Sequence, residues 1–287
     1  DMTDEHELTR AGAEHPGATP PSAAASDVPS LAAVRSAAAE REEGFADAHA
    51  AEQNRLLRAL PLEEYARLLP RLTPTRLHLK DVLVEADRPI RAVYFPREGV
   101  CSVIATEQEG GDVEVGTVGP EGFVGLPVLN GTDATPYRTM VQVAGHAWRL
   151  SADAFRQLVD ERPVVRKLLL RYSQYFTDHV SQSAACNQLH TLDERCARWL
   201  LLTHDRVEGD QFELTHEFLA LMLGVRRAGV TVAMGALQGL GLVRYARGRI
   251  TILDRPRLEE VSCGCYHVTR TSFARLLGEP RGARRPE

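Results

Sequence analysis

The sequence predicts an α+β protein: an N-terminal antiparallel β-roll of jelly-roll type, a long helix, and a C-terminal winged helix-turn-helix. Three observations carry this. Short runs of β-branched and aromatic residues, separated by turn signals, fill the stretch from Arg76 to Leu150. A sustained helical apolar pattern follows Pro163, and beyond Leu214 come a helix, a glycine turn, a second helix and an arginine-bearing hairpin.

Composition sets the frame. The chain has 287 residues, 44% hydrophobic and 25% charged, the mixture of a soluble globular protein with room for two domains. The net charge of -5 argues weakly against a nucleic-acid partner, so the distribution of charge matters more than its sum. The cysteines Cys101, Cys186, Cys196, Cys263 and Cys265 are odd in number and scattered, and no disulfide framework is expected. The opening residues are polar and acidic, and no apolar run approaches the ~18 residues of a membrane span. A cytoplasmic protein without a membrane partner is the expectation.

Residues 1–50, rich in Ala, Pro, Ser and Glu, are expected to be a disordered arm that turns helical from Leu31. A sensor roll is expected over 51–162. It opens with short helical pieces, Leu56, Leu57 and Leu60, then Leu62, Tyr65, Leu68 and Leu69, broken by Pro61 and Pro70. Strand-like runs follow at Val82–Val84, Ala92–Phe95, Val100–Thr106, Val113–Val118, Met140–Val143 and Trp148–Leu150. Asp87-Arg88-Pro89, Glu109-Gly110-Gly111, Gly119-Pro120 and Asn130-Gly131 supply the turns.

Ser151 suits an N-cap, and Pro163 suits the first turn of a long helix expected over 163–190. One apolar ladder runs through Leu168, Tyr172, Tyr175 and His179 to Gln182, Cys186 and Leu189, beside Val165, Leu169, Phe176 and Val180. Two readings stand: one stripe packs on the roll while Leu168, Tyr172, Tyr175, Phe176 and His179 meet a second copy of the chain, or the helix is buried within one subunit. Its length favours the homodimer.

A winged helix-turn-helix is expected over 191–270, ahead of a flexible tail over 271–287. An amphipathic helix runs from Leu192 to about Val207. Thr215 caps a helix carrying Phe218, Leu219 and Met222, Gly224 provides the turn, and a second helix begins near Arg226 with Val230, Ala233 and Leu237 inward. Leu242–Tyr245 and Arg249–Leu253 flank the turn Ala246-Arg247-Gly248 as a hairpin wing.

Between Glu217 and Asp254 there is no acidic residue, yet Arg226, Arg227, Arg244, Arg247 and Arg249 lie there. An acidic chain has kept a local basic face suited to duplex DNA phosphates. At about 100° per residue, the outward arc of the second helix holds Arg227, Ala228, Thr231, Val232 and Gly235, with Gln238 at its edge. Arg227 suits a guanine edge, and Thr231 or Val232 a thymine methyl. Gly229 either lets the helix approach the DNA backbone or relieves crowding between the two helices. No phosphate loop, dinucleotide fingerprint, nucleophile elbow or metalloprotease motif is present, so an enzyme is not expected. The rival is a ligand-binding roll whose output is a protein partner.

From about residue 54 to 268 the chain resembles the Crp/Fnr superfamily of bacterial regulators, on the roll, the long helix, Leu214–Gln238 and the continuation from Gly241 to Asp254. The resemblance implies a homodimeric transcription regulator in which the roll senses a signal and paired winged helices bind a palindromic site, with RNA polymerase as a further partner. Of the residues with which the family commonly reads bases, only Arg227 matches; Ala228 and Val232 replace a glutamate and an arginine.

Cyclic-nucleotide-binding members hold the ligand with a Gly-Glu pair and an Arg-Ser or Arg-Thr pair. The nearest stretch here is Gly119-Pro-Glu-Gly-Phe-Val-Gly125, with Phe123 in the carboxylate's place, followed by Tyr137-Arg138-Thr139. Gly122, Phe123, Arg138 and Thr139 are therefore the candidate effector pocket. The alternative, preferred, has the glycines serving turns and Arg138 on the surface, so cyclic AMP is not predicted and no cofactor is assigned. The N-terminal cysteine set of iron-sulfur members is missing. Cys263-x-Cys265 beside His267 reads as a solvent-side pair rather than a metal site, since two thiols do not close one. His179 reads as a packed seam histidine rather than a haem ligand.

Overall fold

Alternation along the strand-forming runs builds two antiparallel sheets in the computed structural model, which describes residues 43–106 and 111–278. One sheet has the order β1-β7-β3, from Thr73–Leu77, Gly145–Ser151 and Ala92–Pro96. The other has the order β2-β6-β4-β5, from Val82–Val84, Arg138–Val143, Val100–Thr106 and Asp112–Val118. Pairs such as Val93↔Leu150 and Cys101↔Val141 turn their side chains into one core. Strand β1 escaped the sequence reading because Thr73-Pro74-Thr75-Arg76 is polar and contains proline; its place at a sheet edge makes both tolerable.

The roll's interior is aromatic. The Phe123 ring lies 5.6 Å from Phe95, 5.4 Å from Phe155 and 5.3 Å from Tyr172, and all four are fully buried. Offset and tilted rings at such spacings add to area burial, which fixes this interior tightly. The expectation that Gly122 and Phe123 line an effector pocket is corrected here. Phe123 is a core residue, and a Cβ on Gly122 would sit 2.1 Å from the Tyr172 hydroxyl, so that glycine makes room for Tyr172.

Residues 43–50 are helical (α1), and the His49 ring lies 4.7 Å from that of Tyr65. The end of the expected arm is thus ordered, while 1–42, including the helix expected from Leu31, lie outside the described residues. Helices α2 (Arg55–Arg58) and α3 (Leu62–Leu68) follow, and Pro70 sits inside a 3-10 turn, Leu69–Arg71. A short α4 (Leu126–Leu129) bridges the strands, and α5 (Ala152–Glu161) starts at the Ser151 cap, whose side chain accepts from the Ala154 N–H.

The long helix α6 covers Pro163–Leu189, 27 residues. Its apolar ladder faces its own subunit: Tyr172, Tyr175 and His179 are buried against the roll and the last helix, and half-buried Leu168 and Phe176 pack on the same core. The assignment of these five to a dimer interface is corrected accordingly. Gly116 makes room for Phe176 beside β5, since a Cβ there would come 3.0 Å from the ring. The outward face of α6 carries Leu170, Gln174, Thr177, Ser181, Ala184 and Gln188 at alternating four- and three-residue spacing.

After α7 (Leu192–His204), with its Thr191/Glu194 capping box, come β8 (Gln211–Glu213), α8 (His216–Leu223), α9 (Arg227–Gly239), β9 (Val243–Ala246), β10 (Arg249–Ile252) and α10 (Arg255–Val261). Strand β8, with one apolar residue, was illegible alone; it completes a sheet ordered β8-β10-β9. The expected tail is helical as far as Leu277, as the end of α11 (Cys265–Leu277), which lies along α6 with Phe273 edge-on to Tyr175 at 5.2 Å. Residues 279–287 lie outside the description.

Candidate nucleic-acid interface

Helix α8 starts where the Thr215 hydroxyl accepts from the Phe218 N–H, and it ends at Gly224, whose φ of 61° is left-handed and whose N–H returns to Ala220 and Leu221. That glycine turn folds α9 back at 108° to α8. Val230, Ala233, Met234 and Leu237 anchor α9 in the core, and Arg227, Ala228, Thr231, Val232, Gly235 and Gln238 are exposed. Val232 is 73% exposed, a large apolar side chain standing free on the outward arc.

The wing turns on Arg247 and Gly248, with φ of 52° and 75°. Two consecutive positive φ values give the primed two-residue turn that suits strand twist, and they set Arg247 at the tip. Arg244 and Arg249 project from the outer face, while Val243, Ile250 and Ile252 are buried. Arg226 precedes the free N–H groups of α9, whose dipole favours an anion there.

Several candidate residues are already engaged. Arg227 Nε lies 2.9 Å from Glu217 Oε1, and Arg249 stands 3.7 Å from Glu213, both exposed pairs held weakly enough to exchange for phosphate. The Thr231 hydroxyl donates to the Arg227 carbonyl and meets His216 Nδ1 at 3.1 Å. Gln238 Oε1 accepts from the Tyr245 N–H at 2.9 Å, so it ties the second helix to the wing. The Thr215 hydroxyl is likewise committed to its cap. Gly229 faces α7: a Cβ would come 3.0 Å from Leu192, which places the crowding there rather than between α8 and α9.

Sequence reasoning missed His216. Its ring stacks on Tyr245 at 4.2 Å, and burial beside Arg227 lowers its pKa, so a neutral imidazole bridges α8, α9 and the wing. Its position directly after the cap was the signal available.

The head is docked on the roll. A Cβ on Gly224 would approach Val113 at 3.0 Å, and Trp199 Nε1 donates to Glu114 Oε1 at 3.0 Å. Glu114 Oε2 is buried without a partner among the described residues, and burial raises that carboxyl's pKa to about 7. Below these, Arg206 Nε donates to Glu121 Oε1 at 2.8 Å, and its other nitrogens reach the Leu202 carbonyl and the Tyr175 hydroxyl. The carboxylate of the Gly119–Gly125 stretch therefore faces the head.

Arg138 pairs with Asp112 across the sheet, and Thr139 is buried in β6, so neither joins Gly122 and Phe123 in a phosphate clamp. An open groove of about 630 Å³ lies instead between roll and head, lined by Arg55, Arg58, Arg97 and Arg206 and also by Glu98, Asp205 and Glu208. His179 accepts the Thr117 N–H at Nε2, and burial near Arg206 holds the ring neutral, which commits the nitrogen a haem iron would need. Cys263 and Cys265 correct the solvent-side expectation: both are buried, beside Cys186 and half-buried His190.

Among the described residues no single helix is long and apolar enough to cross a membrane; α8 and α9 pass only as a bent pair, by length and composition.

Residues 74–162 match the model of the cyclic nucleotide-binding domain, and 194–261 that of the Crp-like helix-turn-helix domain. No curated protein sequence matches. Among solved structures, a putative transcriptional regulator of the Crp/Fnr family from Eubacterium rectale is 19% identical, with TM-score 0.57, covering 72% of this chain and 96% of that one. A Crp-family transcriptional regulator from Thermus thermophilus is 22% identical, with TM-score 0.56 and coverages of 66% and 96%. FixK2 from Bradyrhizobium japonicum is 17% identical, with TM-score 0.58 and coverages of 67% and 98%. At these identities the structural likeness speaks for the fold.

Proposed function

We propose, from the premise that this chain belongs to the Crp/Fnr superfamily of transcription regulators, that it binds a palindromic DNA site as a homodimer, its affinity set by a signal acting on the roll. The observation that carries the reading is that α9 and the wing contribute no acidic residue of their own, while Arg226, Val232, Arg244 and Arg247 are all exposed. With α9 in the major groove, Arg227 leaves Glu217 for a base edge, Thr231 and Val232 offer methyl groups to thymine, and Arg247 and Arg249 meet flanking phosphates. Thr215, Gly229 and Gln238 act by holding the frame.

The dimer seam proposed is the outward stripe of α6, from Leu170 through Thr177, Ser181 and Ala184. Its small residues suit close approach of a second copy of α6, and its spacing suits a coiled seam. Two such heads place their reading helices about 34 Å apart, one turn of duplex. The groove suits an anionic signal in that Arg55, Arg58, Arg97 and Arg206 outnumber Glu98, Asp205 and Glu208 in its lining, and a ligand there lies against both the roll and the segment after α7. The output proposed is regulation in the cytoplasm, with RNA polymerase as the further partner.

Selection of bound sequences from a random duplex library at moderate salt tests the reading. A palindromic consensus is expected. Binding that stays absent at low salt overturns it in favour of a roll whose output is a protein partner.

A further inference from the structure

Beyond the reading head, the chain brings together a set of soft ligands. Cys186 lies in the last turn of α6, and His190 is the extended residue that caps it, its N–H bonded to the Cys186 carbonyl. Cys263 and Cys265 flank Gly264 at the start of α11. The three sulfurs and one imidazole nitrogen all lie within 4.8 Å of one another. Cys186 Sγ is 3.4 Å from Cys263 Sγ, and Cys265 Sγ is 3.5 Å from His190 Nδ1.

We propose that Cys186, His190, Cys263 and Cys265 form a closed tetrahedral site for zinc. A zinc ion with bonds of about 2.3 Å to sulfur and about 2.0 Å to nitrogen spaces its ligand atoms roughly 3.5 to 3.8 Å apart. The separations of 3.4 and 3.5 Å fall close to that spacing. A disulfide needs about 2.05 Å between sulfurs, and none of these cysteines is bonded. With no two of the four atoms more than 4.8 Å apart, the set is too compact for a polynuclear iron-sulfur cluster, which spreads its ligands over separate irons. Thiolate and imidazole in tetrahedral array select zinc over hard cations such as magnesium or calcium.

The surroundings fit such an ion. Gln182 Nε2 donates to Cys265 Sγ at 3.0 Å, the kind of outer hydrogen bond that orients a thiolate ligand. Three thiolates and a neutral imidazole around a divalent ion leave one net negative charge. Arg198, buried with its Nε lacking a partner among the described residues, stands close enough to act on Cys186 electrostatically. Binding converts three thiols to thiolates and releases their protons to solvent, with no change of oxidation state.

The ion cross-links the end of the long helix to the connection between α10 and α11, two segments 77 positions apart at Cys186 and Cys263. It thereby clamps α11 along α6 at the point where the long helix hands over to the DNA-binding head.

Titration of the reduced, metal-free full chain with cobalt(II), followed by zinc competition, tests this. Expected are saturation at one ion per chain, the intense visible bands of a tetrahedral thiolate complex, and their loss when zinc is added. Cys263→Ser should weaken the thiolate charge-transfer band, and Gln182→Ala should bind cobalt about 10-fold more weakly while retaining the wild-type circular dichroism. His190→Ala, at a half-buried position, gives a second variant if Cys263→Ser does not fold. Weak octahedral-type absorption without saturation overturns the site, as do unchanged spectra and affinity in His190→Ala and Gln182→Ala. So does a Cys186–Cys263 disulfide that survives treatment with a reductant, or mononuclear iron in place of zinc in the chain as isolated.

Discussion

Arg206 and Glu121 form a buried ion pair, 2.8 Å long with side chains 5% and 4% exposed, between the segment after α7 and the turn after β5. Roll and reading head are joined here by charge as well as by packing. A pair this deep offers each partner no water to fall back on, so its geometry is exacting.

Removing one partner should therefore cost much more than a surface pair would. Arg206→Ala or Glu121→Gln is expected to lower unfolding free energy by about 3 to 5 kcal/mol in urea titration. A double variant replacing both with apolar residues of similar size should regain most of that. A loss below about 1 kcal/mol in both single variants would show that the pair does not bind the two parts together.

Glu114 gives the contact between roll and head a pH dependence. Its folded pKa of about 7 lies above the ordinary 4.5, so the folded chain retains a proton that the unfolded chain releases. This contribution is fully present below the unfolded value and is lost as pH rises through the folded one. Stability should fall by about 1 to 3 kcal/mol between pH 4.5 and 7.5 from this residue, and Glu114→Gln should flatten that part of the profile. Parallel wild-type and variant profiles would remove Glu114 as the cause.

On DNA, Arg227→Ala should cost about 1 to 3 kcal/mol and relax preference at one base position per half-site. Arg247→Ala or Arg249→Ala should weaken every sequence alike and reduce the salt slope by about one unit. Equal binding of all sequences by wild type and Arg227→Ala, measured by fluorescence anisotropy, would reassign the reading face.

Gly122 has no room for a side chain beneath Tyr172. Gly122→Ala is expected to cost about 1 to 3 kcal/mol through overpacking. Tyr172→Phe, which deletes a hydroxyl without a partner among the described residues, should recover part of it. Thermal denaturation of the two single variants and the double variant reads the coupling.

The reading head was legible because its signals are local. Thr215, Gly224 and the spacing of Val230, Ala233 and Leu237 lie within a few turns of one another, and each has a backbone consequence. The α6 ladder was legible as a helix but not as to what it faces, because one apolar stripe suits a second copy or its own roll equally. The groups that couple the two parts were hidden by separation. Glu121 and Arg206 are 85 positions apart, and Cys186 and Cys263 are 77 apart. Local pattern assigns no partner at that range. Phe123 read as a departure from a ligand motif, whereas its environment is an aromatic core assembled from β3, α5 and α6.

The two-residue turn at Arg247-Gly248 has a further effect on what the wing tolerates. It pairs Ala246 with Arg249 and thereby puts Val243, Tyr245, Ile250 and Ile252 on the inner side of the hairpin. A single residue inserted at the tip would slide one strand by one step and exchange its faces, turning Arg249 inward and Ile250 to solvent. Length at this tip is thus fixed by parity: residues can be inserted in twos, but a lone insertion turns the outer face of β10 from basic to apolar.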